Sequence, residues 1–166
     1  DSPAGRVRLF HITELTYDGQ ENILDKLGAI FGAISRFDAT AVYILRHDGY
    51  RAEVYMGTAC ENQGELGMIF QTLKKFMKGN FPGCRTRQLR VRENEKLLKE
   101  IFDPPQLAVA SVSATASVRN GGGVYLQGLE KLVAAMRENP FSLVVLASAA
   151  SIHTITAMRA GLESLY

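Results

Sequence analysis

Cysteine is scarce in this chain: Cys60 and Cys84 are the only two among 166 residues. Neither has a second cysteine or a histidine at metal-ligand spacing, and no His-x-x-x-His or His-Glu pair occurs, so zinc-type sites are not expected. Two cysteines far apart in sequence suit a reducing compartment, and whether they ever pair stays open. Long apolar runs are also missing. None reaches the roughly 18 residues that a membrane-spanning helix needs, and no secretory leader opens the chain. These absences predict a cytoplasmic protein with no membrane partner.

Phosphate-binding signatures are lacking too. No lysine is followed by Ser or Thr, which excludes a P-loop, where that lysine meets the phosphates and the hydroxyl meets magnesium. Gly121-Gly122-Gly123 lacks the later glycine and acidic residue of a dinucleotide fingerprint. It reads as a mobile linker ahead of an anion loop or lid. Ser148, Ser151 and His153 lack the Gly-x-Ser-x-Gly elbow of a hydrolase nucleophile, and Ser151 reads as a helix N-cap. No catalytic residue, cofactor or metal is expected within these residues.

What is present is ordinary for a folded domain: 46% hydrophobic and 22% charged residues, with a net charge of +2. That balance argues against disorder. It also means that any nucleic-acid role needs a local basic patch. No repeat and no Pro- or Ser-rich linker divides the chain, so residues 1–166 form one domain. The start at Asp1-Ser2-Pro3 without Met, and the end at Tyr166 inside an apolar helical pattern, predict the N-terminal fragment of a longer protein.

Periodicity supplies the elements. Residues 6–12 alternate as a strand. Ile23, Leu24, Leu27, Ile30, Phe31 and Ile34 define a helix face. Gly28 and Gly32 on that helix cost propensity, which close packing on a sheet would offset. Residues 41–45 and 52–56 flank His47-Asp48-Gly49, a hairpin signal that leaves His47 solvated in the turn. A helix from 64 to 78 ends at Gly79-Asn80-Phe81-Pro82-Gly83, with Phe81 tucked under the turn. A short exposed strand (86–91) and a helix (93–102) follow. Residues 107–112 read as a strand buried on both faces. A helix around Leu126–Met136 comes next, then 141–147, the most apolar strand and hence central, and a last helix from Ile152. The regular alternation of the second half favours parallel pairing and the hairpin demands antiparallel pairing. The expected fold is α/β (mixed α+β): a mixed parallel/antiparallel sheet with one β-hairpin, covered by about five helices.

The richest charge feature runs from Lys74 to Lys99. Lys74, Lys75, Lys78, Arg85, Arg87 and Arg90 are the candidate nucleic-acid contacts, since basic side chains give sequence-independent affinity for phosphates. A solvated edge strand that resists aggregation accounts for the same residues, and the balance lies with that reading.

Three stretches carry a resemblance. They are the hairpin ending in Tyr55-Met56-Gly57, the turn Asn80-Phe81-Pro82-Gly83-Cys84, and a final block. That block joins Leu126-Gln127-Gly128-Leu129-Glu130-Lys131-Leu132, Phe141–Ala147 and Met158–Tyr166. Together they resemble the region that precedes the motor in bacterial HerA/FtsK-like ATP-binding proteins. The sequence departs from that pattern at Ser113-Ala114-Thr115-Ala116-Ser117. The resemblance implies a non-catalytic assembly or partner-docking domain, with the ATPase residues lying beyond Tyr166. It also implies self-association or another protein as partner. The alternatives are a nucleic-acid module using residues 74–99 and a small-ligand sensor.

Overall fold

The computed structural model describes residues 3–15, 23–103, 108–112, 132, 134–136, 138–149, 156, 157, 160, 161 and 163. A short 3-10 turn, Pro3–Arg6, leads into strand β1 (Val7–Glu14), helix α1 (Ile23–Ile34), strands β2 (Ala39–His47) and β3 (Ala52–Cys60), and helix α2 (Gln63–Asn80). Strand β4 (Arg85–Gln88), helix α3 (Val91–Phe102) and strand β5 (Phe141–Ser148) complete the elements. The strands form one sheet in the order β4-β1-β3-β2-β5.

Every neighbouring pair in that sheet is antiparallel, which corrects the expectation of a mixed sheet. The reason lies in the hairpin. Since β3 runs against both β1 and β2, β1 and β2 point the same way, as two strands joined through a helix should. The turn after β2 then folds β3 into the space between them, so the parallel strands never become neighbours. That turn is tight for local reasons. Asp48 Oδ1 accepts the backbone N–H groups of Tyr50 and Arg51 at 2.8 and 2.7 Å. Gly49 takes a φ of 102°, a left-handed value that suits a residue without Cβ.

The sheet buries both faces. On one, Phe10, Ala41, Met56 and Cys60 meet Ile30 and Ile34 of α1 and Leu66, Ile69, Phe70, Leu73 and Met77 of α2. The Phe10 and Phe70 rings lie 5.8 Å apart and tilted by 56°. Each such side chain contributes on the order of 1.5–3 kcal/mol through its burial. On the other face, Leu9, Val42, Ile44 and Tyr55 meet Leu97 and Ile101 of α3. The helical period of the apolar residues in α2 and α3 explains why each helix covers one face only. Helix α2 begins at Asn62, whose side chain accepts the Gly64 N–H, a standard N-cap. Helix α3 begins where the Glu93 carboxylate accepts the Arg90 N–H at 2.7 Å.

Gly57 of β3 sits opposite Leu9 of β1. A Cβ there would lie 1.9 Å from the Arg8 carbonyl oxygen, so no larger residue fits without parting the strands. Gly28 and Gly32 behave differently. Both are exposed with nothing within 4 Å of a built Cβ, so the expected close packing against the sheet does not hold.

Three α-helices are described in full, not five. Of the two others predicted, only isolated residues are described: 132, 134 and 135 of one, and 156, 157, 160, 161 and 163 of the other, all helical. The glycine run 121–123, Ser151 and His153 lie outside the described residues. The predicted strand at 107–112 is corrected: residues 108–112 carry no regular structure, and Val109 and Val112 are 74% and 89% exposed. An apolar run needs two covering layers to be a buried strand, and none forms over it among the described residues. His47 is corrected as well. It ends β2, only 8% exposed, stacked on Phe141 at 5.5 Å, and its Nδ1 accepts the Gly49 N–H at 3.1 Å.

Strand β5 is an edge among the described residues, not the sheet's centre. High hydrophobicity led to the opposite expectation, yet Val145 is 44% and Leu146 65% exposed. Its pairing with β2 extends over eight residues, from Thr40↔Ser148 to His47↔Phe141.

Candidate functional site

The six basic candidates separate into two groups. Lys74 and Lys78 stand one turn apart on α2, so their side chains share a helix face. The turn Phe81-Pro82-Gly83-Cys84 closes with the Cys84 N–H donating to the Phe81 carbonyl at 2.9 Å. It is anchored by Phe81, which is buried in the core with the Lys26 ammonium 5.2 Å from its ring centroid. That anchoring delivers Cys84, Arg85 and Thr86 opposite the two lysines. The five residues Lys74, Lys78, Cys84, Arg85 and Thr86 line a cleft of about 400 Å³.

Arg85 also meets Glu14, with Nε 3.1 Å from the carboxylate. Among the described residues the lining thus carries three cations, with the Glu14 carboxylate paired to one of them. Burial pushes the Cys84 thiol up from its ordinary value, which favours the protonated thiol over the thiolate. Cys60 and Cys84 are both free. Cys60 is buried and does not line the cleft, its thiol 3.4 Å from the Asp38 carbonyl.

The remaining candidates lie elsewhere. Lys75 follows Lys74 by one position, about 100° round the helix axis, and is exposed outside the cleft. Arg87 pairs with Glu93 at 2.8 Å, and Arg90 precedes the first turn of α3. The Glu93 carboxyl is held below its ordinary value, first by the Arg90 N–H and then by the Arg87 side chain. Lys75, Arg87 and Arg90 do not line the cleft. Sequence reasoning missed Cys84 and Thr86 as lining residues and Glu14 as a partner. Only the spacing of Lys74 and Lys78 could have foretold a shared face.

The opposite face of the sheet holds a second polar group. His11 stacks on Tyr55 at 4.8 Å, and the Tyr55 hydroxyl donates to Glu53 at 2.9 Å. Burial, then that bond and the Glu53 charge, push the Tyr55 pKa up to about 12, so the phenol serves as a donor and not as a base. Burial pulls the His11 pKa down. Arg46 nearby is matched by Glu100 at 2.7 Å. On this face Arg46 has a carboxylate partner, whereas in the cleft the Glu14 carboxylate pairs with Arg85 alone.

Among the described residues no group of three or more His, Cys, Asp or Glu side chains could hold a metal ion. No helix among them is long and apolar enough to cross a membrane. Compared with protein-family models, curated proteins and solved structures, the chain matches none. Nothing in those comparisons links it to the HerA/FtsK-like proteins.

Proposed function

We propose that this chain is a non-catalytic assembly domain that joins a second copy of itself through β5. The observation that carries the reading is the character of that edge. Phe141-Ser142-Leu143-Val144-Val145-Leu146-Ala147-Ser148 holds no charge and no proline, and it has no outer partner strand among the described residues. A long uncharged edge offers its free N–H and C=O groups as a template for another strand. An antiparallel pair of identical strands satisfies the twofold symmetry on which most homo-oligomers are built. Val145 and Leu146 leave apolar surface on both faces of such a joint. The likeness to the region before the motor of HerA/FtsK-like ATPases, seen in the sequence blocks, gives this role a larger setting.

Sedimentation velocity over a concentration series tests the reading. The expected result is a dimer that becomes a monomer in the Val145→Lys/Leu146→Lys double variant. Both positions are exposed, so thermal stability should stay within about 0.5 kcal/mol of the parent. A parent chain that remains monomeric up to about 1 mM, the weak end of specific association, would refute self-assembly through this edge.

A further inference from the structure

We propose that the cleft between α2 and β4 binds a small phosphate-bearing molecule, its anion held by Lys74, Lys78 and Arg85. This inference stands apart from the β5 edge and does not rest on it. Three features of the cleft carry it.

The first is charge. Lys74 and Lys78, four residues apart on one helix, repel each other, and Arg85 enters the same space from β4. Glu14 answers Arg85 alone. An anion between the three cations would relieve that repulsion, and a phosphoryl group offers several acceptor oxygens to both kinds of donor. The Thr86 side chain adds a neutral lining group. Lys78 also lies in the last turn of α2, where a cation complements the helix dipole. That role explains Lys78 but not Lys74, and not the arrival of Arg85.

The second is size and shape. A cleft of about 400 Å³ falls in the range that holds small ligands, about 300–1,000 Å³. The third is isolation. Arg87 is engaged by Glu93, and the lining residues include no aromatic ring on which a base could stack. Those features fit a compact phosphate and not a nucleic-acid strand, which needs a track of cations and stacking platforms.

Cys84 reports on the site, because its half-buried thiol lines the cleft while Cys60 is buried away from it. The experiment titrates the full chain with inorganic pyrophosphate at constant ionic strength. It follows thermal stability and the rate of Cys84 alkylation by iodoacetamide. Pyrophosphate is expected to raise the Tm and slow the alkylation severalfold, where sodium chloride does neither. Lys74→Gln/Lys78→Gln should weaken both responses by about tenfold or more, a loss of roughly one decade in Kd. Lys75→Gln, just outside the cleft, should leave them unchanged. Unliganded melting of each variant separates loss of binding from loss of fold.

Equal responses to chloride would overturn the proposal by reducing the effect to screening. So would an equal loss in Lys75→Gln. Tight binding of oligothymidylate that requires Arg87 and Arg90 would overturn it in favour of a nucleic-acid surface. Failure of the β5 joint to form would leave these readouts untouched.

Discussion

The two edges of the sheet are built on opposite principles. At one end β4 is four residues long, Arg85-Thr86-Arg87-Gln88, with two arginines and no large apolar side chain. At the other, β5 is eight residues long and uncharged. Short, charged edges repel added strands, because pairing would desolvate their side chains and bring like charges together. The β4 edge is protected by its own sequence. The β5 edge is not, and no strand covers it among the described residues. The difference supports the division of roles proposed above, with association at one end and anion binding beside the other.

Three changes test how far that comparison reaches. The largest effect is expected from Gly57→Ala, which forces a methyl group into the Arg8 carbonyl in the strand that links the two halves of the sheet. Unfolding stability should fall by about 3 kcal/mol, at the upper end of overpacking costs. Urea denaturation measures it, and a loss below about 0.5 kcal/mol would mean that β1 and β3 yield locally at no cost to either edge.

A smaller effect is expected from stripping the protected edge. In Arg87→Val/Gln88→Val, the lost pair with Glu93 is solvent-exposed, and exposed ion pairs contribute little to stability. Stability should hardly move, yet light scattering should show association that the parent lacks at that end. If scattering is unchanged, shortness and not charge protects β4.

The smallest effect concerns pH. The Glu93 carboxyl is held below its ordinary value of 4.5, first by the Arg90 N–H and then by Arg87. A carboxyl with a depressed folded value stabilises the fold above its unfolded value and loses that contribution as pH falls through the folded one. The junction between β4 and α3 should therefore be tight above pH 4.5 and loosen below it. Hydrogen exchange at the Arg90 amide, corrected for intrinsic rate, should speed up between pH 5 and acid conditions. In Glu93→Gln the corrected rate should no longer change with pH.

Local chemistry was legible in the sequence, and placement was not. The β2–β3 hairpin was readable because Asp48-Gly49 encodes its turn within four residues. Helices α2 and α3 were readable because Leu66, Ile69, Phe70 and Leu73, and then Leu97 and Ile101, repeat at helical spacing. The position of β5 was not, because apolar residues record that a surface is dry or can be made dry, without saying which neighbour covers it. The same limit misplaced residues 108–112. Nearness to the turn predicts a solvated His47, whereas the return of Phe141 from far along the chain stacks on it. The basic stretch was legible as composition. Its sorting into a cleft, an ion pair and a helix start depends on the buried Phe81 turn, which redirects the chain between Lys78 and Arg85.

The pairing of β2 with β5 joins Thr40 to Ser148 across 108 residues, whereas β2 and β3 meet across a single turn. Closing the longer loop costs about 3 kcal/mol more chain entropy than closing the hairpin. Loop entropy therefore favours pairing of the hairpin before β5 joins. During that interval the outer side of β2 is itself an open edge, waiting for a strand that any copy of the chain can supply.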